Sequence, residues 1–206
     1  LDEATQRVER WRARAVVLAV PLFVAARLLQ SPPPALAAAA AQQTQAPWLV
    51  ANLALDAPLL DRAQGAPPSW DNVRYGAPSL GYVDARHQSL QPMAGATVLT
   101  AYWALPTGDR ASLLHGNELA AAWARRVIDD LAVAHPDLPA KVRQIDLMRY
   151  GHAMSIPAPG VRSHPALAAL AQQRGRLAFA HADLSGYSVF EEAFTHGTRA
   201  GDTLAV

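Results

Sequence analysis

Apolar residues fall in two spacings along this 206-residue chain: short unbroken runs, and stripes of helical period. Residues 15–20, Ala-Val-Val-Leu-Ala-Val, are continuously apolar and rich in β-branched side chains. That pattern predicts a strand buried on both faces. Pro21 ends it, and a short helix is expected through Leu29. Ser-Pro-Pro-Pro at 31–34 is a stiff break. Residues 35–45 are rich in Ala and Gln and are helical by propensity. Strands are expected at 48–55, 70–75 and 79–86, with residues 56–68 as a loop. Residues 96–103 give the clearest strand, because branched and aromatic side chains follow one another.

The longest helical pattern lies at 117–135. Leu119, Ala122, Trp123, Val127, Leu131 and Val133 form its stripe; Asn117 or Gly116 caps it, Glu118 lies in the first turn, and Pro136 stops it. A strand is expected at 142–150, a loop with Pro157 and Pro159 at 151–159, and a helix at 165–173. The chain closes with an apolar strand at 177–180, a small-residue turn at Ser185-Gly186 and a helix. That helix is expected to present Ala193, Gly197 and Ala200/Gly201 on one face, where a flat group or another backbone can come close. Strands mixed with helices make the fold class α/β, of the mixed α+β kind. No internal repeat is present.

Composition narrows the chemistry. Half the residues (51%) are apolar, enough for a sizeable core. Eighteen basic residues against 17 acidic ones give no electrostatic footing for nucleic acid or acidic partners. No cysteine is present, which excludes disulfides, thiolate metal sites and Cys nucleophiles. The seven histidines lack metal-ligand spacing, and Ser185 lacks the Gly-x-Ser-x-Gly setting of a hydrolase. The apolar run 15–29 is interrupted by Pro21 and Arg27 and falls short of the about 20 residues a membrane span needs. No targeting segment is visible, and the compartment stays open between cytoplasm and periplasm.

Two stretches carry a resemblance. Residues 175–206 run apolar strand, Asp183, Ser185-Gly186, Glu191-Glu192-Ala193, then Gly197 and Ala200-Gly201. Residues 14–21 run Arg-Ala-Val-Val-Leu-Ala-Val-Pro. Together, and in this order, they resemble the flavin amine oxidase and phytoene desaturase superfamily, whose C-terminus reads apolar strand, Ala-Gly-Asp/Glu, spacer, Glu-Gly-Ala, Ser-Gly, Ala-Ala. The resemblance implies part of a flavin-binding Rossmann-like domain (residues 1–30 and 174–206) interleaved with a mixed-sheet substrate domain (residues 31–173). It implies FAD. It gives Asp183 the role of the acid that hydrogen-bonds the ribityl chain. Phe190, Glu191, Glu192 and Ala193 then lie where helix N–H donors meet the flavin's pyrimidine edge. Two departures stand out: His181-Ala182 replaces Ala-Gly, and Glu192 replaces a glycine, so its side chain would crowd the ring.

On the substrate side, the resemblance places Tyr150 and His152 near the flavin face, with His152 as base or substrate hydrogen-bond partner. A loop histidine bonded to a carbonyl is the plainer reading. Tyr187 and Phe190 are candidates for an aromatic wall, or for core packing of the closing helix. Lys141, the sole lysine, is expected at the surface. No Gly-x-Gly-x-x-Gly occurs. The chain is therefore expected to be the C-terminal portion of an FAD-dependent oxidoreductase. Its N-terminal FAD-binding portion would lie on the same precursor or on another chain. The implied reaction is oxidation of a small-molecule amine by hydride transfer to flavin. A carotenoid-type desaturase or isomerase relative, and a non-catalytic binding or assembly subunit, are the alternatives.

Overall fold

The computed structural model describes residues 4–61, 67, 69–88, 95–115, 118–173 and 175–204. In chain order the elements are β1 (Val16–Leu18), α1 (Leu22–Leu28), α2 (Pro34–Gln42), β2 (Gln45–Leu55), β3 (Asp71–Asn72), β4 (Tyr82–Asp84) and β5 (Thr97–Ala104). There follow α3 (Arg110–Leu114), α4 (Glu118–Ala132), α5 (Leu138–Lys141), β6 (Val142–Ser155), α6 (Pro165–Ala171), β7 (Leu177–Phe179) and α7 (Phe190–Leu204). The mixed α/β class expected from the sequence is the class observed. The cap expected at Gly116 or Asn117 lies outside the described residues.

The chain divides into two units, residues 1–44 with 155–206, and residues 45–154. The boundaries differ from the 30/31 and 173/174 read from the sequence. The Pro-rich break is a bend between two helices of the same unit, because Pro34 occupies the first turn of α2, where its missing N–H and fixed φ suit a helix start. α2 and α6 then share one core with α1 and β7: Leu36, Ala39, Leu167 and Leu170 pack with Leu22, Ala25 and Phe179.

In the first unit, β1 and β7 pair in parallel, Val17 opposite Ala178. Among the described residues this sheet has only these two strands. Burial of residues 15–20 on both faces is therefore corrected: Val16 and Val17, which point to opposite faces, are 47% and 41% exposed. The Thr44 carbonyl accepts a hydrogen bond from the Ile156 N–H at 2.8 Å, so the backbone leaves this unit and returns to it at one place.

The second unit is a five-stranded sheet ordered β3-β4-β5-β2-β6. β2 and β5 are antiparallel, with Ala51 opposite Ala101. Alternate residues of β2 are buried, and they meet the buried positions of β5. Leu49, Leu53, Leu99 and Trp103 on this face pack with Trp123, Val127 and Leu131 of α4. Each such fully buried side chain contributes about 1.5–3 kcal/mol. Of the apolar stripe read at 117–135, Trp123, Val127 and Leu131 cover the sheet, whereas Ala122 and Val133 are exposed. Expected strand 70–75 shrinks to two residues, Asp71 and Asn72, both poor strand formers. Among the described residues no helix is long and apolar enough to cross a membrane.

Candidate functional site

Asp183 lies on a 3-10 turn, Ala182–Ser185, that follows β7, and only 1% of it is exposed. The Leu22 N–H donates to Oδ2 at 3.0 Å, and the Ser155 hydroxyl donates to Oδ1. The Gln43 side-chain amide donates to the Asp183 carbonyl at 2.5 Å. The Asp183 N–H in turn donates to His181 Nδ1 at 3.1 Å. One residue therefore ties together the start of α1, the end of α2, the end of β6 and the β7 turn. Leu22 opens α1, which has no side-chain cap of its own, so the carboxylate supplies a long-range acceptor at the helix's positive end. Burial pushes the Asp183 carboxyl up, but hydrogen bonds from His181, Ser155 and Leu22 outweigh it and hold the group below the ordinary carboxylate range. Each carboxylate oxygen thus accepts one of these bonds, and an ionised carboxylate has lone pairs for more than one donor per oxygen.

Gly186 completes the turn with φ at +60°. A Cβ there would lie 2.8 Å from Val161 Cγ1, so both the left-handed backbone and the close approach require glycine. Two residues on, the Ser188 hydroxyl accepts from the Ser155 N–H at 2.7 Å. α7 then begins, and its Ala193 N–H bonds back to the Val189 carbonyl at 3.3 Å. The N–H groups of Phe190, Glu191 and Glu192 precede that bond and have no acceptor within the helix.

Glu192 does not extend from the helix mouth. Its Oε2 accepts from the Ser185 hydroxyl at 2.5 Å, and that hydroxyl lies 2.8 Å from His196 Nε2. His196 is buried, and its pKa is lowered by that burial and by the charge of Arg199, with Glu192 opposing. On α7, Ala193, Gly197, Ala200 and Gly201 fall within one side of the helix by its period; Ala200 is buried, whereas Gly197 and Gly201 open onto space.

Core packing of the aromatic residues is excluded by their exposure. Phe190 and Phe194 are 75% and 64% exposed and stack with centroids 5.9 Å apart. Tyr187, also exposed, lies under the Arg162 guanidinium at 5.5 Å.

In the second unit, the sheet's other face carries the even-numbered residues of β2 and β5. Asn52 stands opposite Thr100, and Val50 opposite Tyr102. Thr100 Oγ1 donates to Asn52 Oδ1 at 2.8 Å. On β6, Ile145 and Leu147 pack on the helix-covered core, so Met148, Tyr150 and His152 point the other way by the strand's period of two. The strand runs on to Ser155, past the expected end at 150. His152 is thus a strand residue and not a loop one, because Gly151 continues the ladder where a break was read. Asn52, Thr100 and Tyr102 escaped the sequence reading; the legible signal was a polar Asn52 inside the apolar run Trp48-Leu-Val-Ala-Asn-Leu-Ala-Leu55.

Lys141 is not a surface residue. Its side chain is 18% exposed, and Nζ binds Asp137 Oδ2 at 2.6 Å and the Pro58 carbonyl at 2.5 Å. Among the described residues no three His, Asp or Glu side chains gather as a metal site.

A family model described as flavin containing amine oxidoreductase matches residues 2–205. No curated protein matches the chain. Among solved structures, cyclohexylamine oxidase from Brevibacterium oxydans IH-35A is similar to it at 20% identity and TM-score 0.65, over 95% of this chain and 42% of that one. A putrescine oxidase variant from a redesign of cofactor binding is similar at 17% identity and TM-score 0.61, over 93% of this chain and 42% of that one. The chain therefore spans less than half the length of these structural relatives.

Proposed function

Because this chain belongs to the flavin-containing amine oxidoreductase family, we propose that it forms the ribityl- and pyrimidine-facing half of an FAD site, together with a substrate wall, in an enzyme that oxidises an amine. The observation that carries this reading is the Asp183 junction together with the first N–H groups of α7, which have no acceptor within the helix. The residues fit such a cofactor through main-chain donors at the start of α7, with the Asp183 carboxylate holding the turn that leads to them. Glu191, Glu192 and Ala193 place backbone at the positive end of a 15-residue helix, which suits a partner that gains negative charge. Glu192 adds a carboxylate to this region, and its bond to Ser185 draws that carboxylate towards the 3-10 turn. Asp183 acts as a positioning residue: it fixes β7, the turn and α1 in one arrangement.

FAD, when bound, accepts a hydride equivalent from the substrate carbon. The chain's own groups bind and orient. Tyr187 and Phe190 present exposed aromatic surface for stacking. Tyr150 and His152, on one face of β6, make the substrate wall, and His152 takes up or holds the amine proton. The pyrophosphate half of the site belongs to an N-terminal portion bearing Gly-x-Gly-x-x-Gly, on the same precursor or on a partner chain.

The test is reconstitution. The chain combined with such an N-terminal portion should retain FAD at one equivalent and bleach anaerobically on addition of an amine. Stoichiometric FAD on this chain alone would overturn the half-site reading. Flavin that binds but does not bleach with any amine would overturn amine oxidation.

A further inference from the structure

The 45–154 unit holds a second feature, on the helix-covered side of its sheet and lined by none of the residues assigned above. It is a cavity of about 570 Å3 between β3, the start of β4 and the C-terminal end of α4. Its wall is fixed by Gly81, whose φ is +90° and where a Cβ would fall 2.0 Å from the Asn72 carbonyl oxygen. Only glycine lets β3 approach so closely there. Leu131, Ala134, Ala77 and the Tyr82 ring give the cavity an apolar body. The Tyr82 hydroxyl lies 2.7 Å from His135 Nε2. Burial and the neighbouring Asp84 push that phenol up to about 12, so it stays neutral.

The polar groups are unequal. Asp130 has a side chain only 5% exposed, and its Oδ1 accepts from Arg74 at 2.7 Å. Among the described residues no hydrogen bond reaches its Oδ2, and Asp130 is part of the cavity lining. Asp71, an exposed carboxylate, stands on the same lining. Two carboxylates and one guanidinium thus belong to the lining. An anion drawn to Arg74 meets both carboxylates, and a neutral apolar guest leaves a nearly buried carboxylate oxygen unbonded, which is costly. A cation bearing N–H donors satisfies Oδ2 and balances the lining.

We propose that this cavity binds a small organic monocation, an ammonium head on an apolar body, with the head on Asp130 Oδ2 and Asp71 and the body against Leu131, Ala134 and Tyr82. The site is independent of the flavin reading, because it uses the opposite face of the sheet from Tyr150 and His152.

The experiment is amide NMR of the 206-residue chain titrated with phenethylammonium, 2-phenylethanol and phenylacetate. Phenethylammonium should move the Asn72, Gly81 and Ala134 resonances, with the alcohol and the carboxylate at least tenfold weaker. Asp130→Asn should weaken the ammonium at least tenfold. Ala134→Leu, which adds bulk to the apolar wall and leaves the Arg74–Asp130 pair intact, should weaken binding at least tenfold with other resonances in place; it decides the matter if Asp130→Asn fails to fold. Phenylacetate binding as tightly as the ammonium overturns the proposal. So does unchanged binding in Ala134→Leu, or ammonium shifts confined to Thr100 and His152.

Discussion

The Ser155 hydroxyl, at the last residue of β6, donates to the Asp183 carboxylate 28 residues later in the chain. The same carboxylate receives the Leu22 N–H from 161 residues earlier. Asp183→Ala removes both acceptors and leaves two donors in a buried place. Each orphaned group costs about 1–3 kcal/mol. Asp183→Ala is expected to lower the unfolding free energy by about 3 kcal/mol or more. Asp183→Asn, which keeps one oxygen, should lose roughly half as much. Urea denaturation of the three proteins checks the order.

The His196 ring gives a pH signature. Its folded pKa lies below the ordinary 6.5, chiefly through burial. The unfolded chain then binds the proton more readily in the window beneath 6.5, so stability is fully present above that value and falls as pH drops through the window. Asp183 acts likewise lower down, with its contribution present above the ordinary 3.8 and lost as pH falls through its depressed value. Thermal midpoints measured between pH 5 and 8 should decline towards the acid end. His196→Gln should flatten that decline, and an undiminished slope in the variant would place its origin elsewhere.

At Gly186 a side chain meets two obstacles at once, a left-handed backbone and the Val161 methyl at 2.8 Å. The backbone cost alone is about 1–2 kcal/mol. Gly186→Ala should therefore destabilise by about 2 kcal/mol, read as a shift in the denaturation midpoint without a change in slope. In reconstituted enzyme it should also weaken flavin retention, because this turn sets the start of α7.

His152→Ala in the reconstituted enzyme should leave flavin content unchanged and slow amine-dependent bleaching by about 100-fold or more, the usual scale for a lost proton-transfer group. Stopped-flow absorbance checks this. A variant that bleaches at the parent rate would remove His152 from the chemistry.

Elements with a strong local pattern were legible from the residues: β5 from branched and aromatic side chains in succession, α4 from its stripe, α1 from the proline that precedes it and α2 from its Ala and Gln content. The closing strand, turn and helix were legible too, and with them the family. What was not legible depends on partners remote in sequence. Nothing around Asp183 announces that the Leu22 N–H and the Ser155 hydroxyl will donate to its oxygens, so its part in joining four elements stayed hidden. Lys141 read as surface because Asp137 and the Pro58 carbonyl close over it only after folding. Gly151 read as a break because a glycine inside a strand and a glycine in a loop look alike in one dimension. The exposure of Phe190 was equally invisible, since burial is a property of neighbours.

The single hydrogen bond between the Thr44 carbonyl and the Ile156 N–H makes residues 45–154 a cassette. The two ends of the insert meet at adjoining backbone atoms, so a short linker can bridge them without rearranging the Asp183 junction. Recombination or protein engineering can then exchange the whole sheet, with its exposed face and its cavity, as one module, while the strand–turn–helix that closes the chain keeps its form.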